Sequence, residues 1–349
     1  MTIIEGTAAA THGVRRAGLL GLALSVVATS AFVVPPAVAA PPSGPGPTVI
    51  AGTGAAGYTG DGGPAVDAGF SAVEDVAVDE LGRTWVLDTY NNAVRRIETD
   101  GTVDTVVAPD AGLLFPFDIA VRGSRVVVAD SYNQRVVELL PDGSLEVLAG
   151  TGVAGYAGDG GPAVQAQLRF PFGVDIAPDG SVLVADTFNH RVREVGRDGT
   201  IRTVLGTGER GFSGDGGAAV SAQVNLPYDV AWSGGRSFAV ADTSNHRVRL
   251  VERGRVDTVL GTGETGLADT TSAEQSRVWS PSGVAARPNG TLVVADFRND
   301  RVVEVRRDRL SVLASGDDVD IRGGVAISRD GRTVTWANTF ARTVSVLRR

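Results

Sequence analysis

The chain contains no cysteine and no lysine, only three histidines, and no long apolar run after residue 40. Without cysteine there is neither a disulfide nor a thiolate nucleophile, so even in an oxidising compartment stability must come from packing. His12 belongs to the N-terminal segment. His190 and His246 occupy the same place in two repeats, where they read as solvent-side turn residues rather than ligands. No Ser or Thr stands beside a base in a recognisable nucleophile motif. The basic residues are all arginine, a bias that says little about chemistry. The formal net charge of −8 argues against a nucleic-acid surface, which normally carries a basic face. With no second apolar run, the mature protein is expected to be soluble, without stable membrane insertion.

What is present begins with an export pattern. Residues 1–16 are polar and end on Arg15-Arg16, residues 17–34 are almost wholly apolar, and Ala37-Val38-Ala39-Ala40 offers small residues for cleavage. Residues 1–40 therefore read as a secretory signal peptide and 41–47 as a Pro/Gly-rich linker, which predicts a secreted, extracellular product. The apolar run is also near the minimum length for a membrane span, so retention as an anchor is the alternative. The Arg pair leaves the Sec and twin-arginine routes both open.

Beyond residue 47 the sequence repeats. Ala185-Asp186-Thr187-Phe188-Asn189-His190-Arg191-Val192 has near-copies at 87–91, 129–136, 241–248 and 295–302, and a worn one at 337–340. Between Asp88, Asp130, Asp186, Asp242, Asp296 and Asn338 the steps are 42, 56, 56, 54 and 42 residues. Such a period signals a propeller or solenoid. Asp and Asn side chains accept hydrogen bonds from backbone N–H groups two residues on, so each copy reads as a tight turn. Its β-branched flanks, such as Val182-Leu183-Val184, supply a strand on either side.

Each unit extends to four strands. Inner strands are expected at 75–78, 118–121, 173–176, 229–232, 283–286 and 324–327, and outer ones at 103–107, 145–148, 201–205, 256–260 and 310–313. Asp-Gly turns such as Pro141-Asp142-Gly143-Ser144 join the third strand to the fourth. Four strands per unit make a propeller blade. The sixth unit lacks a fourth strand and residues 48–51 have no blade before them, so the N-terminal strand is expected to complete the last blade and close the ring. The predicted fold is an all-β, six-bladed β-propeller of four-stranded antiparallel blades, a single domain over 48–349.

These repeats resemble NHL repeats. The variant with Gly-Thr-Gly-x-x-Gly-Tyr-x-Gly-Asp-Gly-Gly-Pro-Ala before the inner strand is similar to secreted bacterial NHL proteins and to the NHL segment of teneurins. The resemblance covers residues 48–349 and decays at Asn338-Thr339-Phe340-Ala341. It implies a six-bladed propeller but no single function. Amidating lyases that share this propeller use several histidines at a zinc site, and this chain cannot supply that cluster.

Two constellations are candidate sites. Long connectors run over 52–71, 150–171, 206–227 and 261–281, whereas 109–116 and 315–322 are short. The long ones are expected to stand as raised loops on one face, a first choice of binding surface. Three of them carry Tyr58 with Asp61, Tyr156 with Asp159, and Phe212 with Asp215 in Gly-rich runs. No Lys and no strand-to-helix context follow, so a phosphate cradle fits poorly. The plainer reading has Asp bonding local backbone and the aromatic pinning the loop to its blade; the sharper one has these residues meeting a ligand. The second constellation is axial. Asp75, Asp118 and Asp229 open the inner strands of blades 1, 2 and 4, and Asp175 lies within the third. Carboxylates would favour calcium over zinc, and the architecture of six-bladed lactonases, which hold a calcium ion on the axis, is the enzyme alternative. The competing reading has these Asp residues capping backbone groups at the tunnel mouth, facing water.

The function expected is a secreted, non-enzymatic scaffold without a cofactor, a monomer that binds a protein, peptide or cell-envelope glycan through its loop-bearing face. The alternative is a calcium-dependent hydrolase or lactonase at the tunnel mouth.

Overall fold

The computed structural model describes residues 46–316 and 319–349; the signal peptide expected at 1–40 and most of the linker lie outside them. Six antiparallel sheets follow one another along the chain, each built from four main strands, and two gain a short fifth strand from a connector. The third is representative, running from axis to rim as Pro171–Ile176, Val182–Asp186, Arg191–Val195 and Ile201–Leu205. The sixth is completed from the other end of the chain, where Thr48–Ala51 pairs antiparallel with Thr343–Arg348, Thr48 opposite Val346. The fold is the six-bladed β-propeller expected.

Its core is distributed. Each boundary between neighbouring blades holds one apolar cluster, built mostly from Val, Leu and Ala. Both faces of a blade pack against a neighbour, which is why the strands read as continuous apolar runs rather than strict alternations.

The long connectors do not stand up as raised loops. The first runs along the rim of blade 1, where Gly63–Pro64 pairs with Thr102–Val107, then turns inward through a single 3₁₀ turn, Ala65–Asp67. Ala65, Ala68 and Phe70 are fully buried between blades 6 and 1. The connectors before blades 3 and 4 repeat this path, with Ala163 and Leu168, and Ala219 and Val224, as their wedges. Small apolar residues after the Gly-rich run, and a free outer edge to satisfy its backbone, draw the segment into the rim.

The repeated Asp also acts at longer range than a local turn. The Oδ1 of Asp88, Asp186, Asp242 and Asp296 accepts from the N–H of the residue seventeen positions earlier, at 2.6–2.8 Å. The neighbouring hydroxyl of Thr89, Ser131, Thr187 or Thr243 donates to the Pro carbonyl opening the next blade's inner-strand segment, at 2.6–2.8 Å. The residue after Asn is left-handed in every good copy. In blades 1 to 4 its side chain takes an N–H from the next blade: Asn92 from Phe115, Gln134 from Phe170, His190 Nδ1 from Leu226 and His246 Nδ1 from Ser280. The two histidines are therefore half-buried links between blades, not solvent-side turn residues. The motif is a clamp joining one blade to the next.

Candidate functional site

In the blades that follow a long connector, a buried arginine of the third strand lies between the motif Asp and an Asp of the connector. Arg95 meets Asp61 at 2.6 Å and Asp88 at 3.8 Å; Arg193 meets Asp159 at 2.5 Å and Asp186 at 3.6 Å; Arg249 meets Asp215 at 2.5 Å and Asp242 at 3.3 Å. Arg301 joins Asp269 and Asp296 in the same way. Blade 2 follows a short connector and has Val137 where blades 1, 3 and 4 have the arginine. Tyr58 and Tyr156 bond Thr105 and Thr203 of their own blades, and Phe212 lies beneath Arg247 at 3.7 Å. Thus Tyr58 and Asp61, Tyr156 and Asp159, and Phe212 and Asp215 are each closed onto their own blade and are not brought together.

The axial residues do converge. Asp75, Asp118, Asp175 and Asp229 each accept an inner-strand N–H from the following blade, respectively Ile119, Val174, Trp232 and Val284, at 2.5–3.0 Å. They thread blades 1 to 5 together from within. Blades 3, 5 and 6 have glycine at the equivalent place because the axis is full: a Cβ on Gly173 would come within 2.6 Å of the Asp229 Cα, and one on Gly324 would enter the Asp75 carboxyl. Asp118 lies within hydrogen-bond reach of both Asp75 and Asp229. Loss of water first, and the neighbouring Asp118 charge second, hold Asp75 and Asp229 far above the usual carboxyl range. Loss of water also raises Asp118, while the bonds it accepts pull it back. Nearby Glu74 is pushed up to about 7 by burial, partly offset by Arg322.

Above them is a cleft of about 20 Å³ lined in part by Glu74, Phe117, Phe172, Tyr228, Ser282 and Arg322, room for about one water molecule. The hydroxyl of Ser282, a side chain nine-tenths buried, has no hydrogen-bond partner. Calcium requires six to eight oxygen ligands, and these carboxyl oxygens are engaged with backbone N–H groups and with one another. Among the described residues no group of three or more His, Cys, Asp or Glu is disposed to hold a metal ion. The residues as they stand do not make a calcium cage.

Around the cleft runs a feature missed in the sequence. Tyr90, Phe115, Tyr132, Phe170 and Phe188 form a chain of rings across blades 1 to 3, with successive centroids 5.0–5.5 Å apart. Phe117, Phe172 and Tyr228 make a second row on the axial side, 4.3 and 4.8 Å apart. These eight rings are half of the chain's sixteen Phe and Tyr residues. The signal for them was Phe-Pro-Phe at 115–117 and 170–172, echoed by Leu226-Pro227-Tyr228, together with the variable third position of the repeated turn.

No family model matches the chain. Teneurin-m of Drosophila melanogaster is 25% identical over 246 residues, which is 62% of this chain and 9% of Teneurin-m. The chain spans about a tenth of the length of the first curated relatives it matches. Among solved structures, a protein of unknown function from Bacteroides thetaiotaomicron superposes with a TM-score of 0.65 at 13% identity, covering 86% of this chain and 74% of that one. XC5397, a gluconolactonase of Xanthomonas campestris, superposes with a TM-score of 0.58 at 15% identity, covering 80% and 86%. At such identities the likeness to solved structures is one of fold. The chain is a six-bladed β-propeller whose NHL-type repeats are similar in sequence to the teneurins.

Proposed function

We propose that this protein is a non-enzymatic binding scaffold, exported and monomeric, that holds a protein, peptide or cell-envelope glycan on the face where the repeated turns emerge. The aromatic arc carries the reading. Tyr90, Tyr132 and Phe188 remain 53%, 49% and 38% exposed around the axial cleft, although burying such rings stabilises a fold by several kcal/mol. A contiguous exposed apolar patch of this kind marks an interaction surface. The long connectors, drawn into the rim, support that surface rather than form it. The test is capture of envelope components by the immobilised full chain. Tyr132→Ala and Phe188→Ala should each lower capture about tenfold while the melting midpoint falls by only about 2–4 °C; capture equal to the parent would overturn the reading.

A second reading, a calcium-dependent hydrolase, draws on the convergence of Asp75, Asp118 and Asp229 beside the cleft. It requires those carboxyls to ionise against their burial and to release their backbone partners. A melting midpoint that rises with millimolar calcium after chelation, and no longer does so in Asp229→Asn, would favour it.

A further inference from the structure

The face that carries the arc is not uniform in charge. On blades 3 to 5 it bears Arg169, Arg191, Arg210, Arg247 and Arg298, and none of the five forms an ion pair among the described residues. Arg169, Arg210 and Arg298 are exposed. Arg191 and Arg247 lie over Tyr156 and Phe212, each 3.7 Å from the ring centroid, and donate to the carbonyls of Asn189 and Thr207, and of Asn245 and Thr262. The group is compact enough for its charges to be felt: after burial, Arg210, Arg169 and Arg191 depress His190, and Arg247 and Arg298 depress His246. Of the carboxylates nearby, Asp186 feels the charge of Arg191, and Asp242 and Asp215 act on Arg247, but these three are already held by the buried Arg193 and Arg249. Glu209 accepts from Gln223, Glu264 is paired with Arg277, and Asp300 sits at the blade 5 turn. In a chain of net charge −8, an unpaired basic sector adjoining exposed rings is a local reversal of sign, complementary to an anion that also carries stackable rings.

We propose that this face takes an acidic glycan, its sugar rings lying on the arc formed by Tyr132, Phe170 and Phe188 and its carboxylates meeting Arg169, Arg210 and Arg298. The inference rests on the scaffold reading and narrows its ligand. A glycan carrying one carboxylate per ring suits single guanidinium forks spaced between platforms. Nucleic acid would bring a denser line of charge against an acidic protein, and is the rival the experiment separates.

The test is titration calorimetry of the full chain with tetragalacturonate, maltotetraose and a thymidine tetranucleotide at low salt. Tetragalacturonate should bind, weaken as salt is raised, and lose about fivefold in affinity in Arg169→Gln/Arg210→Gln and again in Arg298→Gln. These side chains form no ion pair, so the melting midpoint should not move. Equal binding of maltotetraose, tighter binding of the tetranucleotide, or tetragalacturonate affinity unaltered in the variants would each overturn the proposal. If tetragalacturonate fails to bind while ring-dependent envelope capture persists, the glycan inference falls and the scaffold reading stands; if both fail, both fall.

Discussion

Glu74 enters the axis buried, with Arg322 as its nearest compensation. Its carboxyl moves from 4.5 to about 7, and that of Asp175 rises to about 6, in both cases first through loss of water. A carboxyl with a raised folded value binds its proton more tightly in the native state. Its contribution is complete below the unfolded value and is lost as pH rises through the folded one. For Glu74 the displacement corresponds to about 3 kcal/mol. The exposed turn carboxylates Asp100, Asp142 and Asp198, held low by their own Ser or Thr partners, act in the opposite sense only as pH falls below their unfolded values. Asp88, Asp186 and Asp242 rise to about 6 in the same way, whereas His190 and His246, lowered first by burial, add stability as pH rises toward their unfolded value of 6.5. The melting midpoint should therefore decline most clearly above about pH 6.5, and Glu74→Gln should flatten that decline. Calorimetry at constant ionic strength decides it, and an unaltered slope in the variant would mean that Glu74 is not the titrating group.

Between strand and connector, the buried arginines set the geometry. Arg193 is fully buried with its carboxylates on both sides, and it also donates to the carbonyls of Gln167 and Ala157. Arg193→Met leaves Asp186 without that cation and should cost roughly 3–5 kcal/mol in urea unfolding. Asp159→Asn, at a partner one-third exposed, should cost about 1 kcal/mol. Comparable losses in the two variants would show that the arginine is not the centre of the clamp. This is also the scale at which the sequence was least legible. The number of blades, their strand order and the closing strand could be read because a fixed period reports the unit directly. The connectors could not, because a Gly-rich run looks the same whether it projects into solvent or lies in a groove. Nor could the motif Asp be placed, since turn chemistry suggests a partner two residues on whereas the fold supplies one seventeen away. The axial carboxyls were legible as a convergent set, and their commitment to the next blade's backbone was not. The arc escaped because its rings come from two positions of the repeat and meet only across blade boundaries.

For the molecule as a whole, closure by Thr48–Ala51 spares Thr343–Arg348 from being an open edge. Deleting residues 48–51 should lower the melting midpoint by about 5 °C or more and expose a strand able to pair with a second copy. A concentration-dependent shift in gel filtration would report that pairing, and a variant as stable and as monomeric as the parent would show closure to be dispensable. The same strand pair has a mechanical side. Because Thr48 lies opposite Val346, the outgoing ends of the two strands are side by side, and a load drawn between them peels the pair one hydrogen bond at a time instead of shearing all of them at once. The propeller should yield at low force at this seam and re-form when slack returns, while the other five blades, each closed within one continuous stretch of chain, carry none of the tension until the seam has parted.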